Sequence, residues 1–510
     1  MDRDAGYVAA MSDQPSSEQP PAPSTESVEE AVSVLEALLA ERIRVFDLEE
    51  PLRKRLMIAA GRLAGPSREE RKAVARARRK RKRDKKVAED TALLDQTAIR
   101  RLRENPIFLT PRRQSAHGSA SEPIGTLNEE RTCYTCQQKY TDVHPFYDHL
   151  CMACGDFNYA KRDPVADLTG RIALVTGARV KIGYQAAIQL LRNGCRVEVV
   201  TRFPRDAARR YAAEDDYEDW HDRLHIHGVD LRHTPSVERF CDQLLSELPH
   251  LDCIINNACQ TVRRPSGFYD HMLELELGDV AMLSDREAHL VEGGFGTGVE
   301  GPALVHGAEA PTSAALSQVA LLPEDRMRGG QLFPAGELDA DLQQVDKRTV
   351  NSWRLKMAEV STVELLEVQL VNAVAPYVIN ARLKPLMARV PTNDAHIVNV
   401  SAMEGQFYRT FKSEKHPHTN MAKAALNMMT RTAALDYIDD GIHMNSVDTG
   451  WVTDEDPEQH AQRKREEHRF HPPLDIVDGA ARIVDPFIDG LNTGEHVWGQ
   501  FLKDYKPCDW

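Results

Sequence analysis

Arg171-Ile172-Ala173-Leu174-Val175-Thr176-Gly177-Ala178-Arg179-Val180-Lys181-Ile182-Gly183 is the stretch that decides the fold. The unbroken apolar run from Ile172 to Val175 suits a strand buried on both faces. A glycine turn follows, and the pattern then shifts to a helix through about Arg192. Strand, glycine turn and helix in that order aim the free N–H groups of a helix start at an anion beyond the strand's carboxyl end. Downstream, Arg196 to Thr201 reads as a second strand and is followed by a helix. Leu224 to Val229 is a third strand, ending at Asp230-Leu231, and Leu251 to Ile255 a fourth, ending at Asn256-Asn257-Ala258. Strands alternating with helices predict an α/β protein with a parallel sheet covered on both faces.

These pieces resemble the short-chain dehydrogenase/reductase family, whose pattern is TGxxxGxG, an aspartate after the third strand and an NNAG turn after the fourth. The resemblance spans 168–510 apart from an insertion at about 267–346. It implies a Rossmann-type, doubly wound parallel sheet that binds a dinucleotide at the carboxyl ends of its strands. By that resemblance the cofactor contacts fall on Thr176, Gly177, Arg179, Lys181, Ile182, Gly183, Arg202, Asp230, Leu231, Asn257, Ala258, Lys423, Gly450 and Thr453. Asp230 would touch the adenine, and Asn257 would line the groove beside the ribose. An acidic residue ending the second strand would suit NAD, but Thr201-Arg202 stands there, and a guanidinium suits the 2′-phosphate of NADP. Arg179 supports the same choice. Lys181 replaces the middle glycine of the pattern; its side chain either crowds the pyrophosphate or adds an ammonium to it.

Family enzymes use Asn, Ser, Tyr and Lys, the phenol carrying the proton that accompanies hydride transfer. Val371-Asn372-Ala373-Val374-Ala375-Pro376 resembles the helix bearing the asparagine, so Asn372 is retained. His396 to Gly405 resembles the strand ending in SSxxG, yet the serine position is Ala402. Ser401 lies one residue away and would point to the other face without a bulge. Where YxxxK belongs, the chain reads Thr419-Asn420-Met421-Ala422-Lys423, so the lysine remains and the tyrosine does not. A threonine hydroxyl has no accessible pKa. His418, His416 and Tyr408, in the long connection before that helix, are the stand-ins the sequence offers, with His418 beside Lys423 preferred. Val447 to Thr453 resembles the segment that covers the nicotinamide, with Thr449 in place of proline. The glycine, alanine and acid content of Val291 to Ala340, inside the insertion, suggests a flexible flap or disordered loop. Beyond it Trp353, Leu355 and Met357 are available to cover the site.

The amino-terminal third has a different texture. Residues 1–26 are rich in Pro, Ser, Glu and Gln and are expected to be disordered. The region 27–115 is helical and partly basic, with Ser27 as a first N-cap and a new start at Ser67-Arg68-Glu69-Glu70. Its run from Arg76 to Lys86 puts positive charge on every face of a helix. That reads either as a solvated helix or as a contact for RNA, DNA or another polyanion; no aromatic residue interleaves to stack on bases. A module at 130–165 carries Cys133-x2-Cys136 and Cys151-x2-Cys154, two knuckles whose thiolates suit one closed tetrahedral site, hence a zinc ribbon with a structural metal. His144 and His149 lie between the pairs and are read as ordinary loop residues.

Of the nine cysteines, four are thus metal ligands rather than a disulfide framework, which fits a reducing compartment. No signal peptide is read at the start, and no apolar run approaches about 18 residues, so a cytoplasmic protein without a membrane span is expected. The net charge of −14 argues against whole-protein affinity for nucleic acid. Two functions remain open: an NADP(H)-dependent oxidoreductase with a substituted acid, or a catalytically silent NADP(H)-binding scaffold or sensor that engages a protein or nucleic-acid partner. A merely architectural, nucleic-acid-associated fold ranks behind both. The resemblance implies a homo-oligomer and leaves the small-molecule substrate unnamed.

Overall fold

The computed structural model describes residues 23–113, 121–291, 312–326, 331–334, 336–408, 412–453, 455–457, 459–460, 462–464 and 471–510. The tail expected at 1–26 lies outside these up to residue 22, and the expected flap lies outside them at 292–311, 327–330 and 335. Two units are distinguished, 1–85 and 86–510.

In the first unit, α1 (Thr25–Ala40) is capped by Ser24, whose hydroxyl accepts from the Ser27 N–H. The cap therefore falls three residues before the expected one, because Ser24 is the serine in extended conformation. After α2 (Glu50–Ala64), α3 (Arg68–Leu94) opens on a capping box. Ser67 Oγ accepts from Glu70 N at 3.2 Å, and Glu70 Oε2 accepts from Ser67 N at 2.7 Å. Its basic residues from Arg76 to Arg83 are exposed.

The second unit begins with the cysteine module. After α4 (Ala98–Leu102), β1 (Thr126–Thr132) and β2 (Lys139–Asp142) form an antiparallel ribbon, and α5 (Met152–Lys161) follows the second cysteine pair. The sheet then builds in alternation: β3 (Ile172–Thr176), α6 (Lys181–Arg192), β4 (Arg196–Thr201), α7 (Pro204–Ala212), β5 (Leu224–Gly228), α8 (Thr234–Glu247) and β6 (Cys253–Asn256). The insertion contributes α9 (Asp270–Leu277), α10 (Asp285–Val291) and α11 (Ser313–Ser317). The chain returns through α12 (Thr362–Gln369), α13 (Ala375–Met387), β7 (Ala395–Ser401), α14 (Pro417–Tyr437), β8 (Ile442–Asp448), α15 (Ile476–Thr493), β9 (Phe501–Lys503) and β10 (Lys506–Cys508).

Strand order is β10-β9-β8-β7-β6-β3-β4-β5, parallel throughout except for the β9–β10 pair. The direction of winding reverses beside β3, which pairs with both β4 and β6, and this leaves a crevice at the carboxyl ends. Alternate residues of β3 feed opposite cores. Ala173 and Val175 pack with Ala480, Ile483 and Phe487 of α15, while Ile172 and Leu174 pack with Phe240 of α8 and Ile379 and Leu383 of α13. The continuous helical stretch Thr362–Met387 is long and apolar enough to cross a membrane. Here it is a core element instead, since Ile379, Leu383, Leu386 and Met387 are fully buried against the sheet.

The insertion is not a uniform flap. Phe268, Tyr269, Met272, Ala314 and Phe333 are buried as one cluster on Phe203, so Ala314 and Phe333 anchor the described part of a segment whose average composition suggested looseness.

The cysteine module is built onto the sheet domain. Leu127, Tyr140, Phe146, Tyr147 and Leu150 share a core with Val452, Leu474, Ile476 and Val477. At the same seam Arg162, itself buried, binds Asp475 through two bonds of 2.7 and 2.8 Å and lies 2.9 Å from Asp478. Tyr147 donates to Asp478 at 2.5 Å. Asp475 and Asp478 also form the capping box that starts α15. Burial pushes the Asp475 carboxyl up, but Arg162 and the α15 N–H groups outweigh it and hold that carboxyl below its usual range. Removing the arginine strands two buried carboxylates. Arg162→Ala should therefore lower unfolding stability by about 3–5 kcal/mol, read by urea denaturation; a loss below about 1 kcal/mol would show that water replaces the guanidinium there.

Candidate functional site

A cavity of about 630 Å³ opens at the carboxyl ends of the strands around the β3 switch point. Of the residues assigned to cofactor contact from sequence, Gly177, Arg179, Lys181, Ile182 and Gly183 line it. So do Arg202, Asp230, Leu231, Asn257, Ala258, Lys423, Gly450 and Thr453. Thr176 supports it from behind: its Oγ1 accepts from Ala258 N at 3.0 Å. Asn257 donates through Nδ2 to the carbonyls of Thr176 and Gly177, both at 3.1 Å, and so ties the turn to β6. Gly177 sits at φ +69°, where an added Cβ would stand 2.7 Å from Ala258 Cα. At Gly183 a Cβ would stand 2.3 Å from Asn257 Nδ2 and 2.6 Å from Gly177 O.

Lys181, at the position where the family pattern has a glycine, adopts a left-handed backbone at φ +57°. That conformation costs a non-glycine residue about 1 kcal/mol. Its ammonium stands 3.7 Å from Glu455 and 4.0 Å from Asp341. Glu455 is the main cause that holds its pKa above the usual lysine value. The side chain thus runs toward carboxylates of later segments.

At the β4–β5 end the arginines differ in how they are compensated. Arg179 is spent on Asp206 at 2.5 Å. Arg232 bridges Asp230 at 2.7 Å and Glu367 at 3.0 Å, so the carboxylate expected at the adenine is already paired. Arg202 has no carboxylate in salt-bridge reach among the described residues. It donates to Tyr269 Oη at 2.9 Å and lies over that ring at 5.0 Å.

At the β7–β8 end, Lys423 is buried and donates to Val400 O at 2.7 Å. Asn372 occupies a π-helical turn, Leu370–Val374, where its Oδ1 accepts from Gln260 N at 2.7 Å. Thr419 is buried with its hydroxyl unpartnered and does not line the cavity. His418 does not line it either; its Nε2 lies 3.4 Å from Glu364 on α12. The other sequence candidates are also elsewhere: Tyr408 is 90% exposed, and His416 stacks on Trp353 at 4.0 Å between centroids. Trp353 reaches the groove, whereas Met357, expected beside it as cover, is 83% exposed. Ser401 spends its hydroxyl on Asn427 at 2.6 Å, and Ala402 brings none.

Two groups that sequence reading did not single out stand at this end. Asp448 ends β8 and accepts from Met403 N at 3.2 Å; burial pushes its carboxyl up to about 6. Tyr134 enters from the cysteine module, carried on the knuckle between Cys133 and Cys136. Its Oη accepts from Trp451 N at 2.9 Å, and the Lys503 ammonium lies over its ring at 5.4 Å. Burial, with Asp448 adding to it, pushes the phenol up and keeps it neutral. The CYTC spacing marks Tyr134, but nothing local says that it meets a residue 317 positions away.

The sulfurs of Cys133, Cys136, Cys151 and Cys154 lie within 4.8 Å of one another, with Cys136 and Cys151 at 3.7 Å. Zn–S bonds of about 2.3 Å in a tetrahedron require sulfurs about 3.8 Å apart, so the cluster is compatible with zinc. His144 is occupied otherwise, its Nδ1 accepting from the N–H groups of Phe146 and Tyr147 at 3.0 and 3.2 Å. His149 faces Asp148 at 3.5 Å.

Comparison with known proteins gives two family matches: short chain dehydrogenase over residues 171–275 and Enoyl-(Acyl carrier protein) reductase over residues 349–474. An uncharacterized protein, R665 of Acanthamoeba polyphaga mimivirus, is 30% identical over 399 residues, covering 74% of this chain and 75% of that one. Dehydrogenase/reductase SDR family member 13 of Bos taurus is 34% identical over 116 residues, 21% of this chain and 30% of the relative. Retinol dehydrogenase 11 of Mus musculus is 32% identical over 115 residues, 22% of this chain and 36% of the relative. The chain thus spans about a third of the length of these two named relatives. A Pseudomonas aeruginosa RhlG/NADP complex aligns with a TM-score of 0.41 at 16% identity, over 66% of this chain and 95% of that one. The chain belongs to the short-chain dehydrogenase/reductase family, as a divergent member.

Gly183→Ala tests the turn. The added methyl group has backbone on one side and the Asn257 amide on the other, so unfolding stability should fall by about 1–3 kcal/mol. An unchanged urea midpoint would mean that the turn and β6 are not in contact.

Proposed function

We propose that this chain is an NADP(H)-dependent oxidoreductase whose proton chemistry has moved from the family's Ser and Tyr positions to Asp448. The observation that carries the cofactor choice is Arg202, the one arginine at the β4–β5 end of the groove with no carboxylate against it among the described residues. A buried-edge guanidinium without an acid partner suits a 2′-phosphate. The glycine cradle at Gly177 and Gly183 before and within the first turn of α6 fits a pyrophosphate, while the Lys181 ammonium is engaged by Glu455 and Asp341. NADPH, when bound, supplies the hydride. Lys423 and the Gly450–Thr453 segment shape the reacting end, and Tyr134 fixes that segment by accepting from Trp451 N. Asp448 holds a proton at its carboxyl below about pH 6 and releases it above. A structural zinc on the four cysteines would keep the Tyr134 knuckle rigid, and a cytosolic setting would keep its thiols reduced.

NADPH titration followed by nucleotide fluorescence, with NADH as control, tests the binding half. Arg202→Ala should weaken NADPH by about tenfold or more and leave NADH unchanged, as expected for a lost charge-assisted contact. No binding of either dinucleotide would overturn the proposal.

A second reading, the silent NADP(H)-binding scaffold, is favoured by Ala402 and by the unpartnered, groove-excluded Thr419. Under it the exposed Arg76–Arg83 face of α3 would take a polyanionic or protein partner. A panel of aldehydes and ketones separates the two. Carbonyl reduction consumes a proton, so turnover should fall as pH rises through about 6, and Asp448→Asn should abolish it without weakening NADPH. Tight NADPH binding with no turnover across the panel would leave the scaffold reading.

A further inference from the structure

His396 on β7 and His443 on β8 are register partners on adjacent parallel strands. Both stand at the amino ends of those strands, the end of the sheet opposite the groove. By alternation they project on the face that α15 covers, and His396 packs on Phe487 of that helix. His496 joins them from the turn between α15 and β9. The ring centroids are 5.1 Å apart for His396 and His443, 4.7 Å for His443 and His496, and 5.2 Å for His396 and His496. One ring nitrogen from each lies within 4.8 Å of those of the other two, and His396 Nε2 is 2.9 Å from His496 Nδ1.

Three further observations set this apart from a chance meeting of core imidazoles. His443 Nδ1 lies 3.2 Å from Ala395 O, to which only an N–H can bond, so its Nε2 carries the lone pair. An imidazole fixed by a backbone carbonyl through one nitrogen is the usual way a protein presents the other to a cation. His396 Nδ1 is buried without any partner, so packing and not a hydrogen bond on that side sets the ring with Nε2 toward His496. The helix also leaves room: a Cβ at Gly490 would stand 2.6 Å from His496 Nδ1 and 3.1 Å from His396 Nε2, so any other residue there would fill the space where the two nitrogens meet.

We propose that His396, His443 and His496 bind a borderline divalent cation, zinc or a neighbouring first-row metal. Nitrogens bound at about 2.0–2.1 Å around a tetrahedral ion stand about 3.3 Å apart, so the 2.9 Å His396–His496 contact needs only a small opening. An all-imidazole set suits zinc, copper, cobalt or nickel, and not the oxygen-seeking magnesium or calcium. His396 is fully buried and His443 nearly so, whereas His496 is only half-buried, so the fourth position faces the outside and takes water or an exchangeable anion. The site clamps the carboxyl end of α15 to β7 and β8. It is separate from the four-cysteine cluster, whose module packs at Ile476 and Val477, about 20 Å away along the same helix at 1.5 Å per residue.

The test uses the full-length protein with any affinity tag removed, equilibrated with zinc, freed of loose metal, and analysed for metal content per chain by mass spectrometry. Wild type should retain two equivalents and His496→Ala one. Cobalt added to wild type loaded with a single equivalent of zinc, which the four thiolates take first, should give weak visible ligand-field bands without a thiolate charge-transfer band, and none in His496→Ala. His443→Gln, judged folded by circular dichroism, repeats the comparison should the first variant not fold. One equivalent in wild type overturns the proposal. So does a second equivalent that survives both substitutions, since the other nitrogen-bearing cluster among the described residues, His221, Asp222 and His289, would then hold it.

Discussion

The buried ion pair of Arg162 with Asp475 and Asp478 is the contact on which the arrangement of this protein turns. Those carboxylates already have a task, capping the helix that lies across β3 and its neighbours, and the arginine satisfies the charge that capping leaves in a dry place. One set of atoms therefore starts the helix and fixes the cysteine module against it. From that seam the module's Cys133–Cys136 knuckle reaches Trp451, so a segment outside the sheet domain becomes a wall of its groove.

The groove itself separates backbone from chemistry. The backbone keeps what a phosphate-facing turn needs: glycine where a methyl group would collide, and a left-handed residue even where the side chain is lysine. The side chains are less orthodox. Most cations along the groove are matched to carboxylates at close range, Arg179 to Asp206 and Arg232 to Asp230, and Arg202 stands out by contrast. At the β7–β8 end position 402 carries no hydroxyl and the Thr419 hydroxyl lies outside the groove, while burial pushes the Asp448 carboxyl up to about 6.

Local signals carried the sheet domain, because a buried strand, its glycine turn and the helix after it are contiguous in sequence. The cysteine pairs were equally legible, since two-residue spacing is itself the geometry of a knuckle. What escaped sequence reading depends on distance along the chain. Phe268 and Phe333 anchor the insertion across residues whose composition points to disorder. Tyr134 looked like one residue of a metal module, and only the packing of that module reveals where its phenol lies. His418 looked well placed beside Lys423, yet it does not line the groove and its Nε2 lies 3.4 Å from Glu364 on α12. His396, His443 and His496 share no motif at all; the parallel register of β7 and β8 and the turn after α15 bring them together.

The seam joins positions 313 and 317 residues apart, Arg162 to Asp475 and Tyr134 to Trp451. A ribosome working at about 5–20 residues per second would release the cysteine knuckles tens of seconds before the helix they dock on. In that interval the apolar face of Phe146, Tyr147 and Leu150 lacks Val452, Leu474, Ile476 and Val477, and the last strands of the sheet do not yet exist. Contacts of such long loop closure are slow to form and leave sticky surfaces exposed meanwhile. Nascent chains of this protein therefore pass through a stage in which a small, early-formed module waits, uncovered, for the carboxyl-terminal quarter to arrive. Truncations from the carboxyl end would prolong that stage indefinitely rather than merely remove a strand.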